Sequence, residues 1–234
     1  MNNSVSNASV LQTQFEHVGT AYDPEKMLAV RKLTRDAIQR IAASVKPGMV
    51  EEDAVEFAKD VLAESGMVRG WHDVYVRFGS NTTKTFGEAS DPGIVLGEDD
   101  IFLIDIGPVW KEWEGDGGDT FVSGSNSEKK RCADDARAIF HEVRQHWLLQ
   151  GATGKTLYEF AISRAEQRGW KLNMDLSGHR LGEFPHAAVY EGPLADLDFH
   201  PSRLLWVLEI HIRHPNQPYG AFFEDMLLED RYFA

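Results

Sequence analysis

The feature that most constrains the fold of this chain is a set of helix-ending signals that recurs after 103 residues. Three elements recur at this spacing: Gly48 as Gly151, Gly66 as Gly169, and Glu56-Phe57-Ala58 as Glu159-Phe160-Ala161. Glycine often ends an α-helix because it adopts left-handed backbone angles without strain. The matched positions therefore indicate two copies of one helix–helix–sheet unit, which is an internal duplication.

The same signals predict how the chain is divided. Residues 1–20 are polar and are predicted to be a flexible N-terminal arm. Asp23-Pro24-Glu25 is typical of a helix start, since it combines an N-cap, a first-turn proline and an early acid. We predict helices over about 23–45, 51–64, 127–149 and 156–168. The sequence thus predicts an α+β fold in one domain over 21–234, with halves of about 21–125 and 126–234, helices outside a pair of sheets and a central cleft.

Acidic residues lie inside segments that otherwise have the pattern of buried strands. Asp105 follows the apolar run Ile101-Phe102-Leu103-Ile104, where an unpaired charge is costly. If the chain turns back at Trp110-Lys111, Asp105 faces Asp116 on the returning strand. Two facing carboxylates repel each other unless a proton or a cation lies between them, and a divalent cation suits such hard oxygen ligands.

The second half supplies three more residues of the kinds that bind metals. His179 lies between the glycines of Ser177-Gly178-His179-Arg180-Leu181-Gly182, and Glu209 and Glu224 each interrupt an apolar strand pattern. Histidine is a common ligand of divalent metals. Together these residues indicate a metal site with more than one ion. Solvated acids on edge strands are the competing interpretation of the same pattern.

Composition excludes some functions. The formal net charge of −13 disfavours binding to nucleic acid or to an anionic membrane, because both are polyanions. No segment has the long uncharged apolar run of a membrane span, and Met1–Gln14 lacks the basic start and apolar core of a secretory signal. Cys132 is the only cysteine, which is typical of a protein of the reducing cytoplasm.

The order Asp105, Asp116, His179, Glu209, Glu224 resembles the five-ligand signature of the pita-bread metallopeptidases, the family of methionine aminopeptidase, aminopeptidase P and prolidase. The resemblance covers the chain after the arm. It includes the spacing of the two aspartates, the Gly-His-x-x-Gly context of His179 and the Glu224-Asp225 pair. The length is like that of single-domain methionine aminopeptidases, whereas aminopeptidase P and prolidase normally carry a further N-terminal domain.

The resemblance implies roles for these residues. Asp105 would chelate one of two divalent ions (Mn, Fe, Co or Zn), Asp116 and Glu224 would bridge both, and His179 with Glu209 would complete the other. A hydroxide bridging the ions would attack an amide bond, Glu209 would also move a proton, and His186 would hydrogen-bond the substrate amide. The implied partner is a small peptide or small-molecule substrate. The oligomeric state stays open, with a homodimer among the alternatives.

The chain also departs from the family pattern. The family has a further histidine about seventeen or eighteen positions before the first aspartate, where this chain has Phe86-Gly87-Glu88. His72 is the nearest upstream candidate for that substrate-binding place. These departures keep two alternatives open. One is a non-peptidase enzyme acting on a small metabolite by hydrolytic, lyase or iron or manganese redox chemistry, and the other is a catalytically silent binding module.

Overall fold

In the computed structural model, which describes residues 7–233, each half consists of helices followed by strands, as the repeat predicts. The helices are α1 (Asn7–Phe15), α2 (Pro24–Ser44), α3 (Glu51–Glu64), α4 (Ser127–Gln150) and α5 (Gly154–Gln167). The strands are β1 (Arg69–Gly70), β2 (Tyr75–Phe78), β3 (Ile101–Ile106), β4 (Pro108–Trp110), β5 (Trp113–Glu114), β6 (Gly117–Val122), β7 (Lys171–Leu172), β8 (His179–Arg180), β9 (Trp206–Arg213) and β10 (Gly220–Met226).

Local capping explains where the long helices begin. The Asp23 side chain accepts a hydrogen bond from the Glu25 amide at the start of α2, and the Asn126 side chain accepts two from the first turn of α4. These bonds satisfy amide groups that have no partner inside the helix. At the far end, α4 finishes at Gly151, which has the left-handed φ of 62°. The predicted helices are therefore confirmed, with boundaries shifted by at most two residues.

One seven-stranded sheet joins the two halves of the chain. Its order is β2-β3-β6-β10-β9-β7, and β8 also pairs with β9. β2, β3 and β6 come from the first half and the others from the second. The two groups meet where β6 pairs with β10, a contact that we call the seam. The predicted pair of sheets is thus one continuous sheet, because the strands on either side of the seam are hydrogen-bonded.

The helices cover one face of this sheet. An apolar cluster that includes Ile38, Ala58 and Ile104 lies beneath α2 and α3, and a second that includes Phe140, Ala161 and Ile210 lies beneath α4 and α5. Since side chains alternate across a strand, residues next to these core positions, such as Asp105 and Glu209, point to the opposite face. None of the described helices combines the length and the apolar character needed to cross a bilayer.

The predicted register of the Asp105/Asp116 hairpin is wrong. Trp110 pairs with Trp113, so the turn is Lys111-Glu112, and Asp105 faces Gly118 instead of Asp116. The turn forms there because Lys111 adopts a left-handed φ of 62°. β4 and β5 then leave the large sheet and pair with β1 in a separate three-stranded sheet. Asp116 lies where the chain passes from the small sheet back to the large one.

The predicted flexible arm differs from the structure over its described part, and residues 1–6 of it lie outside the described residues. Residues 7–15 form α1, and the Phe15 ring stacks on Tyr190 at 4.2 Å between centroids. Glu16 accepts hydrogen bonds from the Ser202 amide and the Trp206 indole. The polar composition alone suggests a flexible arm, because it carries no information about these partners, which are distant in sequence and are brought near only in the folded chain.

Candidate metal centre

Three acidic side chains form a row across four neighbouring strands. Asp105 on β3 pairs with Gly118 on β6, Gly118 pairs with Glu224 on β10, and Glu224 pairs with Glu209 on β9. Directly paired residues project to the same face of a sheet. The strand pairing therefore places three of the predicted ligands side by side on the face away from the helices, and the row crosses the seam.

Gly118 occupies the one place in this row that has no side chain. A Cβ atom there would overlap the Phe222 ring and lie 3.0 Å from Glu224 Oε1. Glycine at this position thus leaves the room that the Glu224 carboxyl needs.

Asp116 lies at the centre of the site. Its Oδ2 atom is 2.8 Å from His179 Nε2, and its Oδ1 atom is 3.6 Å from His72 Nε2. Two groups of potential ligand atoms, each within 4.8 Å of one another, share this aspartate. One group is His72, Asp105 and Asp116, and the other is Asp116, His179 and Glu224. An arrangement of two groups with a common carboxylate is suited to two neighbouring ions.

The buried oxygens of the site fit a bound cation. Both oxygens of Asp116 and Oε1 of Glu224 are buried without a hydrogen-bond partner among the described residues. The contact of Asp116 with His179 is short, but it does not have hydrogen-bond geometry. Unpaired buried carboxylate oxygens are costly, and coordination to a cation would satisfy them. The residues present therefore fit a divalent metal, whose preferred ligands are carboxylate oxygens and imidazole nitrogens.

The carboxyls respond differently to being buried together. Burial raises the pKa of Glu224 well above its usual value, and the charges of Asp116 and Asp105 raise it further. Burial also raises the pKa of Glu209, to about 7. Burial pushes the pKa of Asp116 upward too, but His179 and His72 outweigh it and lower that pKa to about 2. Asp116 is thus the anionic centre of the site.

Glu209 lies outside both ligand groups but lines the same cavity. Its Oε2 atom accepts a hydrogen bond of 2.6 Å from the Gly178 amide, which fixes one oxygen of the carboxyl. Gly178 has a φ of 72°, and a Cβ atom there would lie 2.5 Å from the Val207 carbonyl oxygen. Glycine is therefore required at position 178, because the backbone is left-handed there and a side chain would collide with the Val207 carbonyl group. Gly178 also links two predicted ligands, since it precedes His179 in the chain and its amide donates to Glu209.

His72 reaches the site although it lies 33 residues before Asp105 in the sequence. It belongs to the loop between β1 and β2, and its side chain is buried against Asp105 and Asp116. Phe86, in the region where the family pattern has its extra histidine, packs edge-on against the His72 ring. His72 and Phe86 therefore line the cavity side by side.

His186 is held by a residue that the sequence analysis did not identify. Glu114 is buried, and its carboxyl accepts bonds from the His186 amide at 2.9 Å and from His186 Nδ1 at 2.9 Å. The Gly182 amide donates to the same carboxyl. The sequence contains one signal for this role, because Glu114 is a second acid in the segment Trp113-Glu114-Gly115-Asp116.

A cavity of about 420 Å³ opens above these residues. It is lined by the five predicted ligands, His72 and His186, and its remaining walls are largely apolar, formed by Trp71, Phe86, Met174, Leu176 and Pro193. Trp71 packs against His72, His179 and His186 at centroid distances between 4.3 and 5.0 Å. Trp71 is a second site residue that the sequence analysis missed, since nothing in its local pattern distinguishes it from a core tryptophan.

Solved structures share this fold. Prolidase from Pyrococcus horikoshii OT3 is 20% identical with a TM-score of 0.68, and the match covers 86% of this chain and 57% of that one. X-Pro aminopeptidase from Thermotoga maritima MSB8 is 20% identical with a TM-score of 0.69, over 95% of this chain and 64% of that one. The chain thus spans about three fifths of the length of these two proteins.

Methionine aminopeptidase from Thermotoga maritima is matched over 92% of this chain and 99% of that one, with 15% identity and a TM-score of 0.66. These likenesses confirm the predicted pita-bread fold. A comparison with curated protein sequences gave no match. A family model described as metallopeptidase family M24 matches residues 25–229. The matched residues make up most of the sequence, and the chain belongs to metallopeptidase family M24.

Proposed function

We propose that this protein is a dinuclear metal-dependent hydrolase that removes residues from the amino end of a peptide by cleaving an amide bond. The observation that carries the proposal is the sharing of Asp116 by two ligand groups, one with Asp105 and one with His179 and Glu224. When bound there, two divalent ions would lower the pKa of water and polarise the carbonyl that is attacked. Glu209, on the same row, would complete the second ligand group.

Glu209 is suited to moving a proton. Its carboxyl lines the cavity beside the two ligand groups. A carboxyl within hydrogen-bond reach of the attacking water is a common general acid–base group. The Gly178 amide holds one of its oxygens, which leaves the other for the reacting groups.

His186 is suited to orienting the substrate. Its Nδ1–H donates to Glu114, so Nε2 is the ring nitrogen that faces outward from this bond. A ring fixed in one orientation can hydrogen-bond a substrate amide at a defined position. We assign this contact to His186, and we assign to the apolar walls the exclusion of water from the scissile bond.

The lining of the cavity also limits the substrate. Among the described residues that line it there is no lysine or arginine, while Asp175 and Glu191 lie at its edge. A free terminal carboxylate is best bound by an arginine or a lysine, whereas acids suit a terminal ammonium group. We therefore propose that the substrate presents its amino end and extends out of the cavity, as in a tripeptide or a longer peptide.

A second candidate is a non-peptidase enzyme on the same metal platform, with a small-molecule substrate. It is favoured by Phe86, which stands in the region where the family pattern has a histidine.

We place either enzyme in the cytoplasm, because a single cysteine gives no disulfide framework within the chain.

The test begins with the full chain. Metal is measured by elemental analysis after loading with Mn²⁺, Fe²⁺, Co²⁺ or Zn²⁺, and release of the first residue is measured on Met-Ala and Xaa-Pro tripeptides and on Xaa-Pro dipeptides. We expect two ions per chain and faster cleavage of tripeptides. Glu209→Gln should lower kcat by roughly 10²–10⁴-fold, the range for loss of a general acid–base group. Chains that bind no metal would contradict both enzymatic candidates, and two bound ions without peptide cleavage would favour the second.

A further inference from the structure

His72 is placed between two carboxylates at distances that suit a shared ion. Its Nε2 atom lies 3.6 Å from Asp105 Oδ1 and 3.6 Å from Asp116 Oδ1. A separation of 3.6 Å is too long for a direct hydrogen bond. Two atoms that bind one ion at roughly 2.0–2.2 Å can be separated by up to about 4.4 Å. The imidazole nitrogen therefore hydrogen-bonds to neither carboxylate, yet the three residues can hold one ion between them.

The His72 ring is held in the same way as the His179 ring. His72 Nδ1 donates to the Asp73 carbonyl oxygen at 2.6 Å, and His179 Nδ1 donates to the Arg180 carbonyl oxygen at 2.7 Å. In both cases the acceptor belongs to the next residue in the chain, and Nε2 is directed at Asp116. Metal-binding histidines characteristically donate the other ring N–H in this way, which fixes the tautomer and the ring orientation.

The surrounding backbone leaves room for the ring. A Cβ atom on Gly107 would overlap both Cδ2 and Nε2 of His72 and would lie 2.5 Å from Trp71 Nε1. Gly107 follows Asp105 by two positions, between the end of β3 and the start of β4. The His72 imidazole fills the space that the missing Gly107 side chain leaves, and the His72 side chain is only 4% exposed.

We propose that His72 is a metal ligand, binding the ion held by Asp105 and Asp116, so that each of the two ions has one imidazole. This inference rests on the proposed metal-dependent function and adds a sixth residue to the five-residue ligand pattern. It also replaces the substrate-binding role that the sequence suggests for His72. Because imidazole suits iron, cobalt, nickel, copper and zinc better than magnesium or calcium, a second imidazole would shift the site toward those transition metals.

The first test counts metal-bound histidines directly. In the Co²⁺-loaded protein, a histidine bound through Nε2 keeps an Nδ1–H whose proton signal is strongly shifted and exchanges with solvent. We expect two such NMR signals in the unaltered protein, one from His72 and one from His179. A single signal from protein that carries two ions per chain would overturn the proposal, and this experiment needs no variant.

The second test compares His72→Ala with the matched control His186→Ala, which removes another imidazole beside Trp71. We expect His72→Ala to bind one of two Co²⁺ ions at least tenfold more weakly by calorimetric titration and to lose one shifted signal. His186→Ala should keep both. Equal affinities in the His72 variant and the unaltered protein would overturn this inference and leave the proposed function standing, whereas absence of Co²⁺ binding in the unaltered protein would overturn both.

Discussion

The Nδ1 atom of His186 lies 2.9 Å from Oε2 of Glu114, a carboxylate that is 1% exposed. This bond joins strand β5 of the small sheet to the turn that carries His186. A hydrogen bond to a charged acceptor is stronger than one to a neutral acceptor. Glu114 therefore controls the direction in which the His186 ring faces the cavity.

We expect Glu114→Gln to lower kcat/KM by roughly 10–100-fold, the effect typical of removing a group that orients an active-site histidine. The amide keeps the size of the side chain but loses the charge. Glu112→Gln, in the exposed turn of the same hairpin, is the matched control and should behave as the unaltered protein does. Steady-state kinetics measure the effect, and metal content should be equal in all three proteins. An unchanged kcat/KM for Glu114→Gln would show that His186 does not depend on this bond.

Glu224→Gln should have opposite effects with and without metal. Burial and neighbouring charges raise the pKa of Glu224, so at pH 8 the metal-free protein is destabilised by a group that the unfolded chain ionises freely. This cost is absent below the unfolded pKa and grows as pH rises above it. We expect the metal-free variant to melt at least about 2–4 °C higher at pH 8, as a gain of about 1 kcal/mol would produce, and the gain to vanish near pH 4.

With metal, the same variant should lose the stabilisation that binding confers on the unaltered protein. Calorimetric Tm values with chelator and with saturating Co²⁺ separate the two effects. Glu191→Gln, an exposed acid at the edge of the cavity, is the control and should change neither. A metal-free Glu224→Gln that melts below the unaltered protein at pH 8 would contradict the electrostatic picture of the site.

Gly118→Ala should damage both the sheet and the site. The new methyl group would overlap Phe222 and press on Glu224 Oε1, and added volume in a packed region typically costs about 1–3 kcal/mol. We expect that loss in the free energy of unfolding, measured by urea titration, together with weaker metal binding. Gly97→Ala is the control, because the nearest atom to its Cβ is 3.5 Å away, an ordinary contact. Equal losses in the two variants would rule out a special role for Gly118.

His211 should make the folded protein sensitive to acid. Burial lowers its pKa to about 4, and the charges of Arg213 and Arg77 act in the same direction. The unfolded chain takes up this proton near pH 6.5, so stability is intact above that pH and falls by about 1.4 kcal/mol per unit between pH 6.5 and 4. His211→Gln removes the titrating group. Urea unfolding in chelator at pH 7, 6 and 5 should give a smaller loss for the variant, and equal losses would contradict the assignment.

The repeat and the buried acids could be predicted because their signals are local. Gly66 and Gly169 have left-handed φ values and follow the ends of α3 and α5 at equivalent positions, since a glycine acts on the backbone beside it. An acid within an apolar strand indicates a shared face, and strand pairing then places Asp105, Glu224 and Glu209 in one row.

The residues that could not be predicted depend on contacts between distant parts of the chain. The hairpin register depends on the left-handed conformation of Lys111, which the sequence does not specify. Trp71 reaches the site from a loop, and α1 packs against residues near position 200. His72 lies in the same loop, and the sequence suggests it only as a candidate for binding substrate. Glu114 differs from a solvated acid only through the partners that the fold provides.

The placement of the row across the seam has a mechanical consequence. Asp105 and Asp116 belong to the amino-terminal half, and His179, Glu209 and Glu224 to the other half. Two ions bound by all five residues would therefore cross-link the two halves, because each half supplies only part of the ligand set. Separation of β6 from β10 would move the ligands of one half away from those of the other. The stability of the association between the halves and the metal occupancy of the site should therefore rise and fall together.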